Sequence, residues 1–165
     1  MSESYVEESR LTLAEASLGS LLSGGAWNPS LPSGVKPRQI GDDLWSDAFD
    51  KDQLDDRPLY WQRLALSRSL RELGAGSSDL LEFELASRGM LGNQFSAGAT
   101  YRVLVTGFDP FHLDDHIEQG NPSGVVALQH QHKQIALGAE RAEIRSMIFP
   151  VRYKDFDDFL VERVL

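Results

Sequence analysis

The sequence predicts an α/β chain: a mostly helical region over residues 1–99, then a β-α-β-α unit over residues 100–165. Three observations carry this. Apolar residues recur at helical spacing through the first half. A glycine-rich stretch at 89–98, GMLGNQFSAG, separates the halves, and after it the pattern changes to a short β-branched run closed by glycine, YRVLVTG at 101–107. At 165 residues the chain has the size of one domain, or of a small domain with a helical extension.

The elements follow in order. Between Ser4 and Leu22, Leu11, Ala14, Leu18 and Leu21 share one helical face, Ser4 and Glu7 have capping-box spacing, and Gly24-Gly25 supplies a stop. Residues 26–41 carry three prolines and several turn formers and are expected to run as an irregular loop. The seven aspartates between Asp42 and Asp56 lack the glycine and terminal glutamate of a calcium loop, which leaves a solvated loop with helix caps. Asp55-Asp56-Arg57-Pro58 then opens a helix in which Leu59, Leu66, Leu70 and Leu73 keep helical spacing up to Gly74. A third helix is expected from Asp79 to about Arg88, with Gly89 as terminator. Beyond the first strand, Asn121-Pro122 should start a helix over 123–137. A second strand from Ala142 to about Val151 and a last helix from Asp155 to Leu165 complete the unit.

Strand, helix, strand implies a βαβ crossover and a parallel sheet. Two parallel strands cannot cover their own faces or satisfy their edges, so the α/β unit reads as incomplete, an expectation strengthened by the apolar Leu160, Val161, Val164 and Leu165 of its last helix. Trp27, Trp45 and Trp61, with Leu44, Phe49 and Tyr60, are expected to anchor the helical half on the sheet, the alternative being an exposed contact surface for another protein.

Charge and composition exclude several functions. A net charge of −9 repels phosphate backbones and anionic membranes, which argues against nucleic-acid and membrane partners. The chain contains no cysteine, which removes disulfides, thiolate metal sites and a thiolate nucleophile. Its first ten residues hold three glutamates and no apolar run, and no stretch is long enough to span a bilayer, so a cytoplasmic location is expected.

In open α/β sheets the chemistry lies at the carboxyl ends of the strands, which directs attention to Thr106-Gly107-Phe108-Asp109-Pro110-Phe111. A dinucleotide loop does not fit: the later glycines of G-x-G-x-x-G are missing, and Phe108, Pro110 and Phe111 would obstruct a pyrophosphate. Two aromatic rings on a proline-stiffened loop could instead form an apolar slot for a small flat ring, or simply fill core beneath the loop.

VLVTGFDPF, then NPSGVVALQ, then a strand ending in FPVRY before an acidic-aromatic segment, resembles the N-terminal portion of the pyroglutamyl peptidase I (pyrrolidone-carboxylate peptidase) family, over about residues 101–165. The resemblance implies an α/β/α fold and an enzyme lineage that removes N-terminal pyroglutamate from peptides with neither metal nor cofactor. It also implies that Phe108 and Phe111 line the pocket for the pyrrolidone ring, while Asn121 holds the loop or the ring's amide. Two departures stand out. The family usually has glycines after the second phenylalanine, where this chain has His112-Leu113, and the insert HLDDHIEQG before Asn121 is long. The family also works through a Cys–His–Glu triad that lies downstream of the matching segment.

No catalytic set is therefore assigned within this chain, and two expectations stand. In one, the chain belongs to the pyroglutamyl peptidase lineage as a truncated or split product that is inactive alone. In the other, it is a noncatalytic binding or assembly protein completed by a complementing chain or by homo-oligomerisation. Substitute chemistries are poor. Ser123 near His116 and Asp115 has no strand-turn-helix elbow around it, His130 and His132 point to different faces, and His112 and His116 with Asp114 and Asp115 read as a solvated acidic loop. No cofactor or metal is expected.

Overall fold

A computed structural model describes residues 9–14, 31, 34–50, 55–158 and 160–164. Its helices are α1 (Pro37–Asp50), α2 (Arg57–Glu72), α3 (Ser77–Ala86), α4 (Pro122–His130), α5 (Tyr153–Asp157) and α6 (Leu160–Val164); its strands are β1 (Tyr101–Phe108), β2 (Gln134–Leu137) and β3 (Glu140–Phe149). Residues 9–14 are also helical. The fold is mixed α/β around a three-stranded sheet of order β1-β3-β2, in which β1 pairs parallel to β3 and β2 antiparallel.

The parallel β1–β3 pair joined across a helix is as expected, and α2 follows its apolar spacing, burying Leu59, Leu66 and Leu70. Three expectations are corrected. The first is the loop over 26–41 and 42–56, within which Pro37–Asp50 is helical. Ile40, Leu44, Trp45 and Ala48 form a helical stripe that is buried, while Asp43 and Asp47 lie on the exposed side, so apolar period outweighed the aspartates. The second is the helix over 123–137, which ends at His130. His132 takes φ +60°, and Gly138, at φ +67°, opens a two-residue turn that folds β2 back on β3, making the sheet mixed rather than parallel. The third is the helix from Asp155 to Leu165, which is replaced by the two short helices α5 and α6. The second strand runs from Glu140 to Phe149, slightly earlier than expected. The helix expected between Ser4 and Leu22 is described only over 9–14, where Leu11 and Ala14 are buried; Leu18, Leu21 and Trp27 lie outside the described residues.

One face of the sheet packs on the helices. Ile148, with Val105 beside it, joins Ile40, Leu44, Trp45, Leu59, Leu66, Leu70, Phe83, Ala127 and Leu128 in one cluster. Helices and strands therefore share a core, with Trp45 in it as expected. Trp61 is fully buried too, in a second cluster with Leu11, Ala14, Tyr60, Leu64, Ala65 and Leu113. On the other face, Met147 and Phe149 pack with Met90 and Leu160 of α6. Each such large apolar side chain contributes about 1.5–3 kcal/mol on burial. The segment after α3 covers the upper edge of β3: the Ile148 N–H donates to Arg88 O (3.0 Å), and Asn93 Nδ2 donates to Ser146 O (2.9 Å). Gly89 makes this approach possible, since a Cβ there would sit 2.5 Å from the Trp45 ring and φ is +71°.

Candidate functional site

The fold brings the loop after β1 and the loop after β3 side by side at the carboxyl ends of the parallel pair. Gly107 lets β1 pass close to the first turn of α4: a Cβ at that position would lie 2.4 Å from Ser123 O. Asn121 caps α4. Its Oδ1 accepts from the Ser123 N–H (3.0 Å) and hydroxyl (2.9 Å), and its Nδ2 donates to Asp109 O (3.0 Å). The Ser123 hydroxyl in turn accepts from Phe108 N (3.1 Å), which commits it to the cap and away from any role as a nucleophile.

A cavity of about 680 Å³ opens here, a size suited to a drug-sized ligand and several times that of a five-membered ring. Phe108, Phe111 and Asn121 all line it, with His112, Pro150 and Val151 beside them. Phe108 is 39% exposed and leans on Phe149 and Phe156, with ring centroids 6.2 Å away in each case. Phe111 is 40% exposed and tilts against His112 at 4.9 Å. Both rings thus keep apolar surface open to the cavity. Asn121 has both lone-pair positions of Oδ1 engaged, so it holds the loop, and its amide retains a second N–H beyond the bond to Asp109. His112 has φ +60°, the left-handed region that glycine favours, at the position where the resembled family usually carries glycine.

Glu84, Arg88, Asp109 and Arg152, which also line the cavity, belong to an ionic network that sequence reading missed. Asp109, only 4% exposed, accepts from Arg63 Nη1 (2.9 Å) on one oxygen and Arg88 Nη1 (2.6 Å) on the other. Arg88 also binds Glu84 (2.8 Å), which receives Arg152 Nη2 (3.2 Å) as well. Burial works against the Glu84 carboxylate, but the guanidinium groups of Arg88, Arg63 and Arg152 outweigh it and hold its pKa down to about 2. Burial lowers the pKa of Arg63. For Arg88 burial acts the same way, but Asp109 and Glu84 prevail and raise it. One signal was available in the sequence: Arg63 falls on the same helical face as Leu59, Leu66 and Leu70, where an unpaired charge would be costly.

Asp56 is the second buried acid. Rather than capping α2, its carboxylate accepts the Asn121 N–H at 3.1 and 3.0 Å, and desolvation pushes its pKa up to about 6. The histidines do not gather. His130 Nδ1 lies 2.8 Å from Val126 O, and His132 sits against Phe49. Among the described residues no three His, Asp or Glu side chains form a metal set, and no helix is long and apolar enough to cross a membrane. The cavity thus sets two partly exposed aromatic rings and an amide beside the charged side chains of Arg10, Glu84, Arg88, Asp109 and Arg152.

Comparison with known proteins gives little beyond this geometry. The chain is 34% identical over 132 residues to an uncharacterized protein of Pseudomonas aeruginosa, an alignment taking in 67% of this chain and 24% of that protein. The chain thus spans about a quarter of that relative's length. No family model matches the sequence, and no solved structure matches it.

Proposed function

We propose that this chain carries the ring-recognition part of a pyroglutamyl peptidase-like protein of the cytoplasm and binds peptides that begin with pyroglutamate. The observation that supports the reading is the meeting of Phe108, Phe111 and Asn121 on one cavity at the carboxyl ends of β1 and β3. In this reading the two rings offer apolar faces to the pyrrolidone, and the second N–H of the Asn121 amide donates to the lactam carbonyl. With no cysteine in the chain, no thiolate is available to attack the amide, so these residues bind without hydrolysing. Purified chain incubated with a fluorogenic pyroglutamyl reporter, with and without a thiol alkylator, is expected to release no fluorophore. Alkylator-insensitive release that follows the protein through purification would overturn the noncatalytic assignment.

A second reading has its own support. The outer edge of β1 pairs with no strand among the described residues, and apolar side chains are exposed on both edge strands, Tyr101 and Val103 on β1 and Ile135 and Leu137 on β2. These features suit an assembly protein whose sheet is completed by another chain. A sedimentation mass of one chain across a wide concentration range would speak against self-completion.

A further inference from the structure

The loop from Asp109 to Asn121 lines the candidate ring pocket with Asp109, Pro110, Phe111, His112 and Asn121, and residues of the helical half tie it down at four places. Arg63 and Arg88 clamp the Asp109 carboxylate at its start. Arg10 forms a two-pronged pair with Asp114, Nε to Oδ1 at 2.7 Å and Nη2 to Oδ2 at 2.6 Å. Arg57 Nη1 donates to Glu118 O at 2.9 Å, and Asp56 receives the Asn121 N–H at the loop's end. Between these points Leu113 is buried against Leu11, Trp61 and Leu64. The helical half also lines the cavity directly, with Arg10, Tyr60, Leu64, Glu84 and Arg88.

A helical half that served only as a stabilising layer would need contact with the sheet, and it has that through Ile148 and Val105. The four ties serve something else: they fix a loop of thirteen residues that contains no helix or strand and departs from the resembled family in length and in having His112-Leu113 for glycine. Ordering such a loop costs backbone entropy at every residue, so its conformation in the free protein depends on these ties. We infer that residues 9–14 and 55–88 form the holder and second wall of the pocket, with Arg10, Arg57, Arg63 and Arg88 as positioning residues, so that ligand recognition is assembled across both halves. The identity of the ligand rests on the proposed function above; the holding of the loop does not.

The test uses the full chain and its two partly exposed ties. Arg10→Ala, Arg57→Ala and the double variant are compared with wild type and with Lys133→Ala, an exposed control, by amide hydrogen exchange and by affinity for pyroglutamyl-alanine. In the double variant, exchange within residues 112–120 is expected to rise about tenfold or more while α2 and β3 stay protected, and affinity is expected to fall about fivefold to tenfold. Unchanged exchange in that loop would overturn the inference, as would faster exchange with undiminished affinity. If wild type fails to bind the dipeptide while the exchange result holds, the ligand reading fails and the holder stands.

Discussion

The two ends of the sheet are built by different physics. At the carboxyl end, Asp109, Asn121, Phe149 and Pro150 are buried, and the loops are fixed by charge-assisted bonds between residues far apart in the chain. At the amino end, every residue of β2 is exposed, Tyr101 and Val103 show apolar surface, and the hairpin rests on a short antiparallel ladder and a glycine turn. The contrast teaches where rigidity is needed. Carboxyl ends of parallel strands host ligands, and a cavity there keeps its shape only if the loops around it are held.

Substitutions should separate the ends sharply. Asp109→Ala strips the counter-charge from two buried guanidiniums and is expected to lose about 3–5 kcal/mol in urea unfolding. A loss below 1 kcal/mol would mean that the network is not fixed. Next comes Asp56, whose folded pKa of about 6 lies above its ordinary value of 3.8. The unfolded chain therefore ionises first, so the wild type loses stability as pH rises from about 4 to about 6 and levels off above; the roughly two-unit shift corresponds to about 3 kcal/mol. Asp56→Asn should flatten that fall. The opposite sign holds for Glu84, which contributes above its unfolded value of 4.5 and loses that contribution as pH drops toward 2, so acid unfolding should persist in the Asn variant.

Gly107→Ala drives a Cβ against Ser123 O and should cost about 1–3 kcal/mol as β1 and α4 move apart, measured as a shift of thermal midpoint. At the other end, Leu137 is half exposed on the edge strand, and the effect of Leu137→Ser should stay within about 0.5 kcal/mol. A loss at Leu137 equal to that at Gly107 would erase the contrast and favour the reading in which this end is covered by another chain.

Much of this was legible locally. The β-branched run closed by Gly107, the Pro58 helix start and the Asn121-Pro122 cap are each written within a few neighbouring residues, and they located β1, α2 and the start of α4. Phe108, Phe111 and Asn121 are singled out by the family resemblance rather than by local pattern, and the fold puts all three on one cavity. Helix α1 was obscured because prolines and aspartates are loud turn signals, whereas the stripe of Ile40, Leu44, Trp45 and Ala48 shows only against a helical period. Strand β2 was absorbed into the helix before it because four residues are too few to show a period of two. The ion network was invisible for a different reason: Arg63 and Asp109 stand 46 positions apart, and nothing local pairs one arginine with one aspartate among 16 basic and 25 acidic residues.

The central claim is that the cavity between Phe108, Phe111 and Asn121 receives a pyroglutamyl ring. Calorimetric titration of the chain with pyroglutamyl-alanine and with prolyl-alanine, which lacks the lactam carbonyl, tests it most directly. Saturable one-site binding of the first is predicted, weaker by about tenfold or more for the second and for the first on Phe111→Ala. Absence of binding, or equal binding by Phe111→Ala, would contradict it.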